Sequence, residues 1–297
     1  MADRDLAELP DVDTLAAGLD AAGYLAGESL ATALFLGARM RQPLLLEGEP
    51  GVGKTQAAKA LAAVLDTPLI RLQCYEGLTA AEALYEWNYP RQLMGIRLAE
   101  ARGEQLREAD LFGPDYLLAR PVLAALDHPG PRPAVLLFDE VDRADDEFEA
   151  FLLEVLAEAS VTIPELGTRH ARVPPIAVLT SNRTRDLHDA LRRRCLYHWI
   201  SYPDTDRVAE IVRRRVPAAS AYLADQVAAG VQRLRGLALT KPPGIAEAID
   251  WALAASLLGF ARLDAAAVAA TLGAVVKHAD DHEVVRAAGP SAVVGDA

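Results

Sequence analysis

A parallel α/β sheet covered by helices, followed by an all-helical region, is the fold class this sequence predicts. Three observations predict it. Leu44-Leu45-Leu46, residues 134–138 and residues 176–181 are apolar runs without alternation, the pattern of strands buried on both faces. Strand and helix patterns alternate up to about residue 200. Beyond Thr205 only helical spacing remains, over 206–215, 220–234, 244–258 and 264–277.

Taken in order, residues 1–40 read as a helical lead-in, with helical spacing over 11–18 and 29–39 and with Gly23, Gly27 and Gly37 as punctuation. A strand over 43–47 leads into Gly48-Glu49-Pro50-Gly51-Val52-Gly53-Lys54-Thr55, and a helix rich in Ala and Leu follows over 56–65. Residues 69–74 alternate as a strand, and 75–78 leave it as a loop. Residues 80–87, 92–101 and 121–126 carry helical spacing, with breaks at Asn88-Tyr89-Pro90 and at Phe112-Gly113-Pro114-Asp115. Pro129-Gly130-Pro131-Arg132-Pro133 turns the chain into the buried run at 134–138. A helix over 145–157 follows. Residues 161–164 and 171–173 are expected to pair across Leu166-Gly167-Thr168. The buried strand at 176–181 ends at Asn182, a short helix is expected over 187–194, and a last strand over 196–200 is closed by Pro203. The composition shift puts a domain boundary near 202–206. The expected organisation is lead-in 1–40, α/β domain 41–203, helical domain 204–287 and a loose tail 288–297.

Composition narrows the function classes. The chain has 297 residues, 52% of them hydrophobic, enough for one large domain or two modest ones. Its formal net charge of −12 argues against a nucleic-acid-binding surface and against an anionic membrane as partner. The two cysteines, Cys74 and Cys195, give neither a disulfide framework nor a zinc spacing, which suits a reducing cytoplasm. Met1-Ala2-Asp3-Arg4-Asp5 carries acids and no apolar run, so no signal peptide is expected. The apolar stretch 252–276 is interrupted by Arg262 and Asp264 and reads as a buried helical pair rather than a membrane span.

The chemistry gathers at strand ends. Residues 48–55 fit G-x-x-x-x-G-K-[ST], a phosphate-binding loop set between a strand and a helix. Its glycines let the backbone of Glu49-Pro50-Gly51-Val52-Gly53 wrap phosphate oxygens, with the N–H groups of Glu49, Gly51, Val52 and Gly53 as donors (proline has none), and the helix adds the positive end of its dipole. Lys54 supplies a point charge to the outer phosphates of ATP, and the Thr55 hydroxyl a ligand for Mg²⁺. Asp139 and Glu140 close a buried strand, where open parallel sheets bind ligands. Asp139 is the candidate for the Mg²⁺ shell and Glu140 for the base that activates the attacking water. The Asn182 amide can hold that water or touch the γ-phosphate, and can also simply turn the chain. Arg192-Arg193-Arg194 reads either as a solvated patch or as a finger reaching a neighbouring subunit's ATP.

In the order 48–55, Phe138-Asp139-Glu140-Val141-Asp142-Arg143-Ala144, Thr180-Ser181-Asn182 and Ala190-Leu191-Arg192-Arg193-Arg194, the chain resembles AAA+ ATPases of the MoxR branch. Residues 71–78, 85–88, 148–155 and 181–185 resemble the CoxD-type member found beside molybdenum-containing carbon monoxide dehydrogenase. The resemblance implies an AAA+ αβα P-loop domain with a five-stranded parallel sheet, a small all-α lid and a homo-hexameric ring. It implies ATP hydrolysis between subunits, with Asn182 as first sensor and Arg194, then Arg193, as the finger. It also implies a chaperone role, a partner with a von Willebrand factor A domain, and a molybdenum hydroxylase client. The family often carries a lid arginine as a second sensor. Here 239–247 holds no arginine, and Lys241 is the candidate substitute.

Other readings belong to other classes. A nucleotide-gated scaffold that binds but hardly hydrolyses is the runner-up. A small-molecule kinase is disfavoured by the Asp139-Glu140 pair and the arginine cluster, and no Asn-Lys-x-Asp motif supports a GTPase. His278 and His282 lie four apart near the chain end and read as a solvated helix end rather than a metal site.

Overall fold

The computed structural model describes residues 9–105 and 107–294. The expectations for residues 1–5 and for 295–297 of the tail fall outside the described residues. The chain divides into two compact units. The first runs to Gly48 and from Lys54 to Trp199; the second comprises Glu49–Gly53 and the chain from Ile200 onward.

In the first unit the elements are α1 (Val12–Ala21), α2 (Glu28–Met40), β1 (Leu44–Gly48), α3 (Lys54–Val64), β2 (Leu69–Gln73), α4 (Ala80–Leu84), β3 (Tyr85–Trp87), α5 (Tyr89–Arg102), α6 (Glu108–Leu111), β4 (Leu117–Ala119), α7 (Pro121–Leu126), β5 (Val135–Asp139), α8 (Asp146–Glu158), β6 (Ser160–Ile163), β7 (Gly167–His170), β8 (Ile176–Ser181), α9 (Asp189–Arg192) and β9 (Leu196–Ile200). Five of the strands form one parallel sheet in the order β2-β5-β8-β1-β9. The three apolar runs without alternation are β1, β5 and β8, every residue of which is buried. Register aligns the carboxyl ends: Gln73 lies opposite Asp139, and Glu47 opposite Ser181. The core beneath them includes Phe138, Phe148, Leu123 and Leu179.

Four local expectations change. Residues 85–87 form strand β3, paired antiparallel with β4, instead of ending a helix. Its aromatics decide this, because Trp87 packs edge-on to Tyr85 and Phe112, a contact that suits an extended chain. Asn88-Tyr89-Pro90 does not break the chain but starts α5: the Asn88 side-chain Oδ1 accepts from Arg91 N–H, and Pro90 sits in the first turn, where it lacks nothing. The β6–β7 hairpin turns at 164–166 rather than 166–168, with Gly167 at φ 76°, so β7 ends at His170. The short helix before β9 shrinks to Asp189–Arg192.

The second unit holds α10 (Thr205–Arg215), α11 (Ala221–Arg235), α12 (Ile245–Leu257), α13 (Ala265–Val275), α14 (Ala279–Ala288) and α15 (Ser291–Val294). Its core centres on Trp251, wholly buried, whose Nε1–H donates to Thr271 Oγ1 at 2.7 Å. The apolar stretch 252–276 is α12 and α13, split at Gly259 (φ 76°). No described helix is long and apolar enough to cross a membrane. The segment expected as a tail from 288 is helical at Ser291–Val294. There Val293 is fully buried, and Arg233 Nη1 donates to the carbonyls of Val293 and Val294. Buried apolar contact and two charge-assisted bonds outweigh the weak helical period that suggested a tail.

Candidate nucleotide-binding site

The loop after β1 turns on two glycines in the left-handed region, Gly51 (φ 76°) and Gly53 (φ 96°), which side chains there would strain. Lys54 opens α3, is buried, and donates from Nζ to Gly48 O at 2.7 Å. The lysine is thus folded over the loop and its charge is held near the backbone that would cradle phosphates.

At the carboxyl end of β5, Asp139 is only 2% exposed and accepts from four donors. Thr180 Oγ1–H reaches Oδ1 at 2.6 Å, and Thr55 Oγ1 lies 2.9 and 3.1 Å from Oδ1 and Oδ2. Arg71, on neighbouring β2, brings Nε to 2.8 Å and Nη2 to 2.6 Å of Oδ2. The hydroxyl of Thr55 and the carboxylate of Asp139 are therefore adjacent. This all-oxygen donor pair fits a hard divalent cation such as Mg²⁺.

Glu140 follows in the left-handed region (φ 57°), a sparsely populated conformation for a side-chain-bearing residue, and its N–H donates to Thr180 Oγ1 at 2.8 Å. Both its carboxylate oxygens are engaged. Asn182 Nδ2 donates to Oε1 at 3.1 Å, Gln73 Nε2 to Oε2 at 3.1 Å, and Arg143 Nε lies 2.9 Å from Oε2. Asn182 itself is pinned through its N–H to the buried carboxylate of Asp142, which also takes Thr184 N–H at 2.8 Å and Thr184 Oγ1–H at 2.7 Å. Cys74, whose N–H donates to Asp139 O, is pushed up to about 12 by burial and by the carboxylates of Asp139, Asp142 and Glu140, so its thiol stays neutral.

The three arginines separate. Arg192 Nη2 pairs with Glu47 Oε2 at 2.8 Å, and Glu47 is buried on β1 just ahead of the loop. Arg194 Nη1 donates to Leu153 O at 2.8 Å. Arg193 is exposed, and its side chain makes no hydrogen bond or ion pair among the described residues.

In the second unit, residues 49–53 meet the start of α12. Ile245 N–H donates to Gly51 O at 2.9 Å, and a Cβ on Gly244 would stand 2.7 Å from the Gly51 Cα. Position 244 therefore tolerates no side chain in this arrangement. Lys241 is exposed and only its backbone N–H is tied down, to Asp281. The cation on this side is Arg235, at the end of α11. Its Nε donates to Pro243 O at 2.8 Å and its guanidinium stacks 4.0 Å above the Tyr202 ring, whose hydroxyl reaches Pro50 O at 3.4 Å. Both Nη atoms are buried without a hydrogen-bond acceptor among the described residues, and burial pulls the group's pKa down.

Sequence reading named Lys54, Thr55, Asp139, Glu140 and Asn182, and these lie within one bonded cluster apart from Lys54, which bonds back to β1. It missed Arg71, Gln73, Thr180 and Asp142 as partners, and Arg235 altogether. Arg71 and Gln73 were visible as an alternating polar pair on a strand beside β5, with side chains on one face.

A phosphate loop after β1 and an acid pair closing β5 of a parallel sheet define a P-loop nucleotide-binding protein. The chain belongs to the AAA domain family, dynein-related subfamily, whose model matches residues 43–195. It is similar to the chaperone MoxR1 of Mycobacterium tuberculosis, 27% identical over 195 residues that cover 63% of this chain and 44% of that protein. An uncharacterized protein of Staphylococcus aureus is 25% identical over 182 residues, 59% of this chain and 62% of the other. The match thus spans less than two thirds of either relative. Solved structures of the Thermotoga maritima RuvB Holliday junction branch migration motor align with a TM-score of 0.47 at 19% identity (83% of this chain, 68% of that one), and a mutant of it with 0.49 at 21% (83% and 69%).

Proposed function

We propose that the protein is a Mg²⁺-dependent, ATP-hydrolysing ring chaperone of the MoxR type. The observation that carries this reading is the cluster at the ends of β1, β5 and β8: Thr55 beside Asp139, and Glu140 held by Asn182. Thr55 and Asp139 would hold Mg²⁺, which neutralises charge on the outer phosphates. Lys54 binds the same phosphates as a point charge, residues 49–53 bind them through backbone N–H groups, and Glu140 takes the proton of the attacking water.

Arg193, exposed and without a side-chain partner among the described residues, is the finger we assign to the neighbouring subunit's site, ahead of Arg194, whose guanidinium is tied to Leu153 O. That reverses the order the resemblance implies. In the lid, Arg235 replaces Lys241 as the nucleotide-facing cation, because its Nη donors lack acceptors among the described residues and it adjoins residues 49–53 through Tyr202. A homo-hexamer in the cytoplasm, a von Willebrand factor A domain partner and a molybdenum hydroxylase client such as carbon monoxide dehydrogenase complete the proposal. The two free, buried cysteines suit that compartment, and the stretches 71–78, 85–88, 148–155 and 181–185 support the client.

Glu140→Gln is expected to keep ATP binding and to lower turnover by about 10²–10⁴-fold, and Arg193→Ala to lower turnover only in the assembled state. Wild-type turnover by Glu140→Gln removes the assignment of the base. A second reading, a nucleotide-gated scaffold, is favoured by the engagement of both Glu140 oxygens. Single-turnover hydrolysis with every assembly state sampled separates the two, since a scaffold stays without turnover throughout.

A further inference from the structure

Asp139 is saturated in an unusual way. A carboxylate offers about four acceptor sites. Thr180 takes Oδ1, Thr55 straddles Oδ1 and Oδ2 at 2.9 and 3.1 Å, and Arg71 lays Nε and Nη2 on Oδ2 at 2.8 and 2.6 Å. The hydrated shell of a divalent cation at Asp139 needs the same oxygen. The two partners are also unequal. The acid is buried, at 2% exposure, whereas the Arg71 side chain is 46% exposed. A buried acid stripped of its counter-charge is costly, while an exposed arginine moves into water cheaply. Exchange of one cation for another at Oδ2 therefore leaves Asp139 compensated throughout.

We propose that Arg71 is a positioning residue of the metal site: it is the resident counter-cation of Asp139 and is displaced when a divalent cation binds with nucleotide. This rests on the reading of Asp139 as the acid on the metal side. The strand geometry prepares the exchange. Arg71 and Gln73 are two apart on β2, so their side chains share a face, and Arg71 Nη2 also donates to Gln73 Oε1. A guanidinium released by Asp139 stays tethered to Gln73. Gln73 is in turn the residue whose Nε2 holds Glu140 Oε2. The acid that faces the metal and the acid that faces the water are thereby joined through one exposed arginine and one amide. Occupancy at Asp139 then alters the hold on Glu140.

The test is Mn²⁺ binding to the full-length protein with saturating ADP, read from the free-ion electron paramagnetic resonance signal. Arg71→Ala is expected to bind Mn²⁺ roughly tenfold more tightly than wild type, the scale of one charge-assisted contact removed, and Arg71→Lys to fall between the two. Equal or weaker binding by Arg71→Ala overturns the proposal. Asp139→Asn separates the layers. If it abolishes Mn²⁺ binding while Arg71→Ala leaves it unchanged, Arg71 alone is misassigned; if it leaves binding intact, the metal reading of Asp139 fails as well. Should Arg71→Ala not fold, the wild-type protein still answers. The ¹⁵Nε resonance of Arg71, identified by its loss in Arg71→Lys, must move toward that of a solvated arginine on addition of Mg²⁺ and ADP. No shift overturns the exchange.

Discussion

The cluster around Asp139 and the cluster around Arg235 treat charge in opposite ways. In the first unit every acid of the site is satisfied from within: Asp139 by two hydroxyls and Arg71, Glu140 by Asn182, Gln73 and Arg143, Asp142 by two backbone N–H groups and Thr184. In the second, Arg235 keeps two buried Nη donors with no acceptor among the described residues and lays its guanidinium over the Tyr202 ring. Buried donors left unmade cost stability, whereas a closed network adds rigidity. The contrast teaches that the acids are positioned from within the protein, whereas the arginine is left with hydrogen-bonding capacity to spare.

The largest effect should come from the lysine of the phosphate loop. Lys54→Ala is expected to weaken ATP binding by about 100-fold, from the loss of a charge-assisted contact with the outer phosphates, as measured by fluorescent-nucleotide titration. Next is the closed network. Asp142→Ala removes the buried acceptor that ties down half-buried Asn182 and exposed Thr184, and should lower unfolding stability by about 1–2 kcal/mol in urea titrations. The open cluster should behave in reverse. Arg235→Met removes two unsatisfied donors, so the nucleotide-free chain should gain about 1 kcal/mol while ATP affinity falls about tenfold. A simultaneous loss of stability would place Arg235 among the closed networks and end the contrast.

The smallest effect concerns pH. Burial is the largest cause that pushes Cys74 and Cys195 up to about 12. In the unfolded chain a thiol ionises near about 8.5. The folded state holds these protons where the unfolded state has lost them. The contribution is therefore fully present below the unfolded value and declines as pH rises from there toward 12. Urea midpoints at pH 7.5 and 10 should differ less for Cys74→Ala/Cys195→Ala than for wild type. Native thiols should resist alkylation at pH 8.

Phosphate-loop geometry and the sheet's central strands were legible because they rest on local rules. Short apolar runs bounded by turn residues suit strands covered on both sides, and the loop's glycines are demanded by the backbone at Gly51 and Gly53. The strand at 85–87 was not legible, since helical spacing and strand spacing coincide over so few residues and the Phe112 contact that decides it lies far along the chain. The same distance hid which arginine is free. Arg192, Arg193 and Arg194 are equivalent as letters, and only Glu47 and Leu153 O, 145 and 41 residues away, distinguish them.

Residue types and spacing by themselves determined the fold class, through strand–helix alternation along the chain, and the phosphate loop and the acids that close β5, because each of these is written within a stretch shorter than ten residues. Partnership was decided only by tertiary structure: Arg71 on Asp139, Gln73 on Glu140, Asp142 under Asn182, Arg235 over Tyr202. Strand order puts residues remote in the chain side by side, and the strength of a charge depends on its burial and its neighbours, neither of which a single stretch of sequence contains.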